Sequence, residues 1–307
     1  MTFEIKKFRS TDALDVAKVR KALMQNKSLL DEERVIDWWF CNAPFKCELF
    51  LAFDGPRPVS TATLQRVKFK TAAGEVIGAE IGNMVTDPDY RRIGLMSSLV
   101  RMAEQEAIKN RCAMVYVTPN LSSTPLYAKL GWDIQGEDTS FLVKTRPDAL
   151  LERQSSDATL VSLTPGGFKK GVKERDRFLT SDDVYLDWRF GRVKEQHIFR
   201  GVQTTFSTWH FAFRQGSPGG EELYVLSDFD NINAQFRAVD FMFALSELQR
   251  SVGKCPILFQ TADPEILESD LIEIYRPFPL CVRQLGEAPI SFPDFPDNFR
   301  LTNCDFG

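Results

Sequence analysis

The hydrophobic pattern divides the first 145 residues into short strands and helices. Alternating or continuous apolar runs predict strands at residues 2–9, 47–53, 59–70, 79–86, 112–118, 132–134 and 139–145. Apolar positions at helical spacing predict helices at residues 11–25, 28–40, 91–109 and 123–131. The resulting order, β-α-α-β-β-β-α-β-α-β-β, predicts an α/β (α+β) domain.

The second half of the chain repeats features of the first half. VIDWWF at 35–40 recurs as YLDWRF at 185–190, and CAMVYVTPN at 112–120 recurs in pattern as CPILFQTAD at 255–263. The offsets are about 150 and about 143 residues, which predicts a tandem repeat of one fold. Unrelated α/β packing with a chance match is the alternative.

The stretch between the two halves, residues 146–158, carries no strong hydrophobic period. We therefore predict one domain at 1–146, a linker at 147–158 and a second domain at 159–307. The length of 307 residues also favours two domains over a single core.

Composition and charge narrow the class of partner. The net charge of −4 argues against wholesale electrostatic binding of nucleic acid. No segment approaches the ~18 apolar residues of a membrane span, and the N-terminus has no apolar signal core. We therefore expect a cytoplasmic protein without a nucleic-acid or membrane partner.

Cysteine and histidine usage argues against metal chemistry. The six cysteines are scattered without a CxxC pair, which is typical of reduced cytosolic thiols. The two histidines, His197 and His210, leave little for a His-based metal site or a Ser-His-Asp hydrolase. We expect no bound metal.

The stretch DPDYRRIGLM, residues 87–96, joins a predicted strand to a predicted helix. The first N–H groups of a helix lack intrahelical partners and carry partial positive charge. Arg91 and Arg92 add full charges, and Gly94 lets a ligand approach the backbone closely. These features together predict a pyrophosphate site. The alternative is a basic first turn on a solvated helix, which the helix dipole disfavours.

This stretch resembles the R-x-x-G-x-G/A signature of the GNAT acyltransferases, with Met96 at the final position. A second stretch, NLSSTPLYAKLGW at 120–132, resembles the family's N-x-x-x-x-x-L-Y-x-x-x-G-F segment. The resemblance covers about residues 1–145. It implies two GNAT-like domains, each a mixed, mostly antiparallel twisted sheet flanked by helices, with the fourth and fifth strands splayed apart.

The resemblance implies acetyl-CoA as co-substrate. The backbone near Met84, Val85 and Thr86 would then hold the pantetheine arm. The pyrophosphate would lie against Arg91, Arg92, Ile93, Gly94, Leu95, Met96 and Ser97. Asn120 resembles a residue that bonds the cofactor arm, although a helix cap is the alternative.

The resemblance also implies two catalytic residues. Glu80 stands where family members often carry a carboxylate base, and Tyr127 stands where many carry a tyrosine acid. The alternatives are a solvent-facing strand residue and an aromatic packing residue. Because no cysteine falls in a motif suited to a covalent intermediate, direct attack in a ternary complex is favoured.

The function predicted from the sequence is N-acetylation of a primary amine on a small molecule. A non-catalytic CoA-binding regulatory protein and an acyltransferase for a longer acyl-CoA are the alternatives, with Met96 favouring the first. A homodimer is left open. The second domain is predicted to be degenerate, because LSDFDNINAQF has no glycine, has no arginine before Arg237, and places Asp228 and Asp230 where phosphate would lie.

Overall fold

The computed structural model describes residues 3–8, 43–44, 47–71, 74–135, 140–152, 158–172, 183–191, 197–205, 207–216, 221–231, 237–277 and 279–286. The strands are β1 Glu4–Phe8, β2 Cys47–Asp54, β3 Arg57–Thr71, β4 Gly74–Thr86, β5 Met114–Val117, β6 Asp133–Gln135, β7 Phe141–Thr145, β8 Thr159–Ser162, β9 Ile198–Gln203, β10 Thr208–Gly216, β11 Leu223–Asn231, β12 Ile257–Thr261, β13 Ile272–Pro277 and β14 Leu280–Gln284. The helices are α1 Leu95–Lys109, α2 Thr124–Lys129, α3 Pro147–Glu152, α4 Pro165–Val172, α5 Asp183–Gly191, α6 Ala238–Val252 and α7 Pro264–Leu267, with a 3-10 turn at Pro88–Tyr90.

The first sheet has the order β1-β2-β3-β4-β5-β14-β6. Its pairs are antiparallel except β4 with β5, which run parallel and are connected through α1. Strand β5, MVYV, is buried along its whole length because both faces of the sheet are covered. Helix α1 packs on one face through an apolar stripe that includes Leu95, Leu99 and Ala103.

The second sheet, of order β13-β7-β12-β11-β10-β9-β8, has the same topology. Strands β11 and β12 run parallel, as β4 and β5 do, and α6 connects them. Helices α1 and α6 both have 15 residues, and α6 and β12 each begin 143 residues after α1 and β5. This agreement confirms the prediction of two mixed, mostly antiparallel sheets flanked by helices.

The two sheets exchange one strand each. Strand β14, from the second half of the chain, lies antiparallel between β5 and β6 in the first sheet. Strand β7, from the first half, lies antiparallel between β12 and β13 in the second sheet. A core cluster shared by both halves includes Phe69 and Tyr116 from the first sheet and Val225 and Leu258 from the second. The predicted boundary at 147–158 thus divides the sequence into two halves. The last strand of each half, β7 or β14, lies in the sheet formed mainly by the other half.

The elements differ from the sequence prediction in a few places. Helix α1 begins at Leu95 rather than residue 91, because Arg92 and Gly94 adopt left-handed backbone conformations that a helix cannot continue. Near the end of α1 the apolar side chain of Ile108 is exposed, whereas Ala107 is buried. The predicted helices at 11–25 and 28–40, and with them VIDWWF, lie outside the described residues.

Asp228 was predicted to lie at the phosphate position of the second repeat, which is wrong. It is buried within β11, where its Oδ1 accepts a hydrogen bond from the N–H of Phe229 at 2.9 Å. The turn that follows β11 lies partly outside the described residues. None of the helices described is long and apolar enough to cross a membrane.

Candidate active site

The fourth and fifth strands diverge at Glu80. Strands β4 and β5 are in register only at Ala79 with Val115 and Glu80 with Tyr116. From Ile81 to Thr86, β4 pairs with β3 alone among the described strands. The divergence leaves backbone groups of β4 facing a gap, where an extended ligand arm can bond as an added strand would.

A β-bulge changes the face that β4 presents along this gap. The β3–β4 register shifts between Thr61 and Thr63, opposite Asn83 and Met84, and Asn83 has a left-handed φ of 51°. The additional residue turns Met84 toward the cluster under α1, on the same side as Ile81. Glu80 lies on the other face, because its cross-strand neighbour Tyr116 packs in the core shared by the two sheets.

The turn after β4 is braced by polar contacts. Asp87 accepts hydrogen bonds from the Asp89 N–H at 3.0 Å and from Arg57 at 2.7 Å. The Tyr90 hydroxyl donates to Asp54 at 2.8 Å, and Arg91 Nε donates to the Thr86 carbonyl at 3.2 Å. The turn is therefore held in place before any ligand binds.

The start of α1 exposes backbone N–H groups beside Gly94. The first intrahelical bond described is from Ser98 N–H to the Gly94 carbonyl at 3.1 Å, so the N–H groups of Leu95, Met96 and Ser97 lie ahead of it. Gly94 has a φ of 89°, and among the described residues, its chain neighbours aside, no atom lies within 4 Å of the place a Cβ would take. This combination fits a diphosphate at the helix start.

Met96 does not crowd this turn. Its partly buried side chain packs against the core cluster that contains Leu99 and Tyr127. The departure from glycine or alanine at this position therefore leaves the space beside Gly94 open.

Val85 and Thr86 lie in the diverging part of β4, and Arg92 and Ile93 lie exposed in the turn.

Glu80 lies at the last paired position before the gap. Its Oε2 accepts a hydrogen bond from the Tyr116 hydroxyl at 3.3 Å, and its side chain is partly buried. The next residue on the same face, Gly82, has no side chain, which leaves the Glu80 carboxylate accessible from the gap. A carboxylate in this position can accept a proton directly or through water.

Tyr127 is completely buried on the opposite face of the sheet. Its hydroxyl donates to the Met84 Sδ at 3.0 Å, which places the phenol next to the bulge of β4. Burial raises the pKa of Tyr127 well above its ordinary range, with a smaller contribution from Cys281. The phenol is therefore protonated at neutral pH and able to donate.

Asn120 bonds the residues of the turn before α2. Its Oδ1 accepts from the Ser123 N–H at 3.0 Å and from the hydroxyls of Ser122 and Ser123 at 2.7 and 2.9 Å. These bonds organise the turn that ends at Ser123, the residue that precedes α2. A contact of Asn120 with the cofactor arm stays a prediction.

The sequence did not predict the polar group that contacts Trp132, whose ring packs against Tyr127. Glu104, nearly buried in α1, accepts from the indole N–H of Trp132 at 2.8 Å. Arg283 of β14 lies 3.4 Å from the same Glu104 oxygen. The sequence offers one sign of this group, since Glu104 is a charged residue within the apolar stripe of α1. No local sequence pattern predicts that Arg283, 179 positions later, lies next to Glu104.

The cysteines described here are not activated. Cys47, Cys112 and Cys281 are buried, and burial raises the pKa of the Cys112 thiol to about 11. Burial also raises the pKa of the partly exposed Cys255. Within the described residues, no group of three or more His, Cys, Asp or Glu side chains could hold a metal ion.

The divergence of β4 and β5, with the start of α1 at one end of the gap, is the arrangement that the resemblance to the GNAT acyltransferases implied. Residues 16–132 match the model of the acetyltransferase (GNAT) family, so this part of the chain is a GNAT domain. No curated protein matches the sequence significantly.

Solved structures have the same fold over nearly the whole chain. A probable N-acyltransferase from Enterococcus faecalis V583 is 11% identical, with a TM-score of 0.65 over 92% of this chain and 73% of that one. A tandem GNAT protein of the clavulanic acid biosynthesis pathway is 14% identical, with a TM-score of 0.62 over 94% of this chain and 100% of that one. Eis1 from Mycobacterium abscessus is 12% identical, with a TM-score of 0.56 over 92% and 73%. At these identities, the similarity shows the tandem GNAT fold.

Proposed function

We propose that the protein transfers an acetyl group from acetyl-CoA to a primary amine of a small molecule within a ternary complex. The observation that carries this proposal is the divergence of β4 and β5 at Glu80, with the helix start of α1 at one end of the gap. Bound acetyl-CoA would supply an activated thioester carbonyl. The N–H groups of Leu95, Met96 and Ser97 would hold its diphosphate, and the gap-facing backbone of β4 its pantetheine arm.

Glu80 and Tyr127 suit the two proton transfers of this reaction. An alkyl ammonium has a pKa of roughly 10, so the acceptor must lose a proton before its nitrogen attacks. Glu80, on one face of the sheet, would accept that proton. Tyr127, on the other face, would donate its phenol proton to the departing thiolate. The placement on opposite faces lets amine and thiol approach the gap from different sides.

The proposal is tested by thiol release across a panel of small primary amines, with acetyl-CoA and longer acyl-CoAs in competition. We expect release of coenzyme A that depends on the amine, fastest with acetyl-CoA. Binding of acetyl-CoA without release on any acceptor would favour the regulatory alternative. Faster turnover with a longer thioester would favour the acyltransferase for longer chains.

Replacing Tyr127 by Phe tests the acid role. The hydroxyl is lost while the buried ring is kept, so we expect kcat to fall about 10²-fold, at the low end of what a positioned acid contributes. The dissociation constant of acetyl-CoA, measured by calorimetry, should change little. Unchanged turnover would remove Tyr127 from this role.

A further inference from the structure

The exchanged strand β14 forms part of the surroundings of Tyr127. Cys281, at 0% exposure, belongs to the same core cluster as Tyr127 and pairs with Val117 of β5 on one side and Ile134 of β6 on the other. Alternation along β14 places Arg283 on the same face as Cys281. The second half of the chain therefore contributes side chains to the proposed site for the departing thiol.

Arg283 connects two elements that flank Tyr127. Its Nη1 donates to the carbonyl of Leu130, the residue that ends α2, at 2.7 Å. The same Nη1 lies 3.4 Å from Glu104 Oε1 on α1. One guanidinium nitrogen thus ties the end of α2 to α1.

Glu104 transmits this restraint to Trp132. The carboxylate oxygen near Arg283 also accepts from Trp132 Nε1 at 2.8 Å. The Trp132 ring packs edge-on against Tyr127, with ring centroids 5.1 Å apart and an interplanar angle of 63°. Both rings are buried, so a shift of the indole must move the phenol as well.

The backbone carries the same restraint. The N–H groups of Leu130 and Trp132 both donate to the Tyr127 carbonyl at 3.0 Å. Arg283 therefore fixes Leu130, whose carbonyl accepts its hydrogen bond, and the N–H of Leu130 donates directly to the Tyr127 carbonyl. The Tyr127 hydroxyl, 3.0 Å from Met84 Sδ, lies at the far end of this chain of contacts.

We propose that Arg283, supplied by the second half of the chain through the exchanged strand, is a positioning residue that acts through Leu130, Glu104 and Trp132 to hold Tyr127 at the β4 gap. The inference rests on the proposed function of Tyr127 as the acid. It assigns the second half of the chain a role in the chemical step of the first half. Such a role predicts an effect on kcat without an effect on acetyl-CoA binding.

The test is a double-mutant cycle of Arg283→Met with Tyr127→Phe. Arg283→Met should lower kcat at least ~5-fold with an unchanged KM for acetyl-CoA, and it should have less than a ~2-fold effect in the Tyr127→Phe background. Arg283→Lys, which keeps a cation near Glu104, should restore part of kcat. Arg146→Met is the matched control, because Arg146 follows the other exchanged strand and donates to the Asp270 carbonyl at 3.4 Å, remote from Tyr127.

The outcomes separate the two proposals. If Tyr127→Phe leaves kcat unchanged, the proposed acid is wrong and the positioning role falls with it. If Tyr127→Phe lowers kcat but Arg283→Met has no effect, or has the same effect in both backgrounds, the positioning role alone is wrong.

A readout independent of activity uses 3-fluorotyrosine at position 127. Its ¹⁹F resonance should move or broaden in Arg283→Met, or in Arg283→Lys if the first variant does not fold, and should stay in place in Arg146→Met. A resonance that is the same in every variant would overturn the inference even if no acceptor were found.

Discussion

At the residue scale, the proposed cofactor site depends on the left-handed conformation of Gly94. A residue with a Cβ adopts this conformation at a cost of roughly 1–2 kcal/mol. Because no atom of the part of the chain that the structure describes, the chain neighbours aside, lies within 4 Å of a Cβ built at Gly94, a ligand can take the space beside it. The strain and the ligand contact can therefore be measured separately.

Replacing Gly94 by Ala should destabilise the protein by about 1–2 kcal/mol through backbone strain. It should also raise the KM for acetyl-CoA about tenfold, which corresponds to about 1.4 kcal/mol, because the methyl group enters the proposed diphosphate space. Denaturant unfolding and initial-rate kinetics measure the two effects.

Gly253→Ala is the matched control for this change. Gly253 also has a positive φ, of 69°, and no described residue beyond its chain neighbours within 4 Å of a Cβ built there, but it follows α6 in the second half. It should lose stability with no change in KM. Equal effects of both substitutions on KM would argue against a diphosphate at Gly94.

Burial of Tyr127 predicts a pH dependence of stability. Its pKa is raised in the folded protein above the ordinary value of 10, so above pH 10 the unfolded chain releases a proton that the folded chain keeps. This contribution to stability is complete below pH 10 and is lost as the pH rises above it, by about 1.4 kcal/mol per pH unit.

The measurement is the free energy of unfolding between pH 9 and 11, compared with Tyr127→Phe. The variant lacks the titrating group but keeps the ring, so it should lose less stability over this interval. Identical pH dependence in both proteins would show that the Tyr127 phenol titrates normally and is not held in a buried site.

At the scale of the elements, local patterns predicted the strands better than their pairing. The alternation and apolar runs around β2, β3, β5 and β7 are visible in the sequence, as are the glycine and arginines that begin α1. The bulge at Asn83 was not predicted, because an asparagine inside a strand does not by itself indicate a bulge. The position of β14 could not be predicted, because LCVRQ carries no signal for which of two similar sheets it joins.

The strand exchange predicts that the two halves fold together. A fragment of residues 1–158 lacks β14, so β5 and β6 would each expose an unpaired edge and Tyr127 would lose its neighbour Cys281. We expect this fragment and residues 159–307 to be poorly soluble when expressed separately and to form a soluble complex when co-expressed.

Size-exclusion chromatography and circular dichroism of the three preparations test this expectation. Separate fragments that are each soluble, monomeric and cooperatively folded would contradict it. That result would instead support the predicted domains at 1–146 and 159–307 as independent units.

At the scale of the whole molecule, the two repeats differ at the start of their connecting helices. Helix α1 follows Gly94 in a left-handed conformation, whereas α6 follows Arg237, an N-cap residue whose φ of −136° is extended. The second repeat thus keeps the sheet and the parallel strand pair without the glycine turn.

One acetyl-CoA should therefore bind per chain. Calorimetric titration of the full chain should give a stoichiometry near one, and Gly94→Ala should weaken that single event. A second binding event of similar enthalpy that persists in Gly94→Ala would show that the second repeat retains a cofactor site.

The reciprocal exchange of β7 and β14 also restricts how the protein can move. Separating the halves in a clamshell motion would break main-chain hydrogen bonds on both sides of each exchanged strand, a cost that ordinary hinge bending between domains does not carry. An acceptor and its product would therefore have to enter and leave the proposed site without separation of the two sheets.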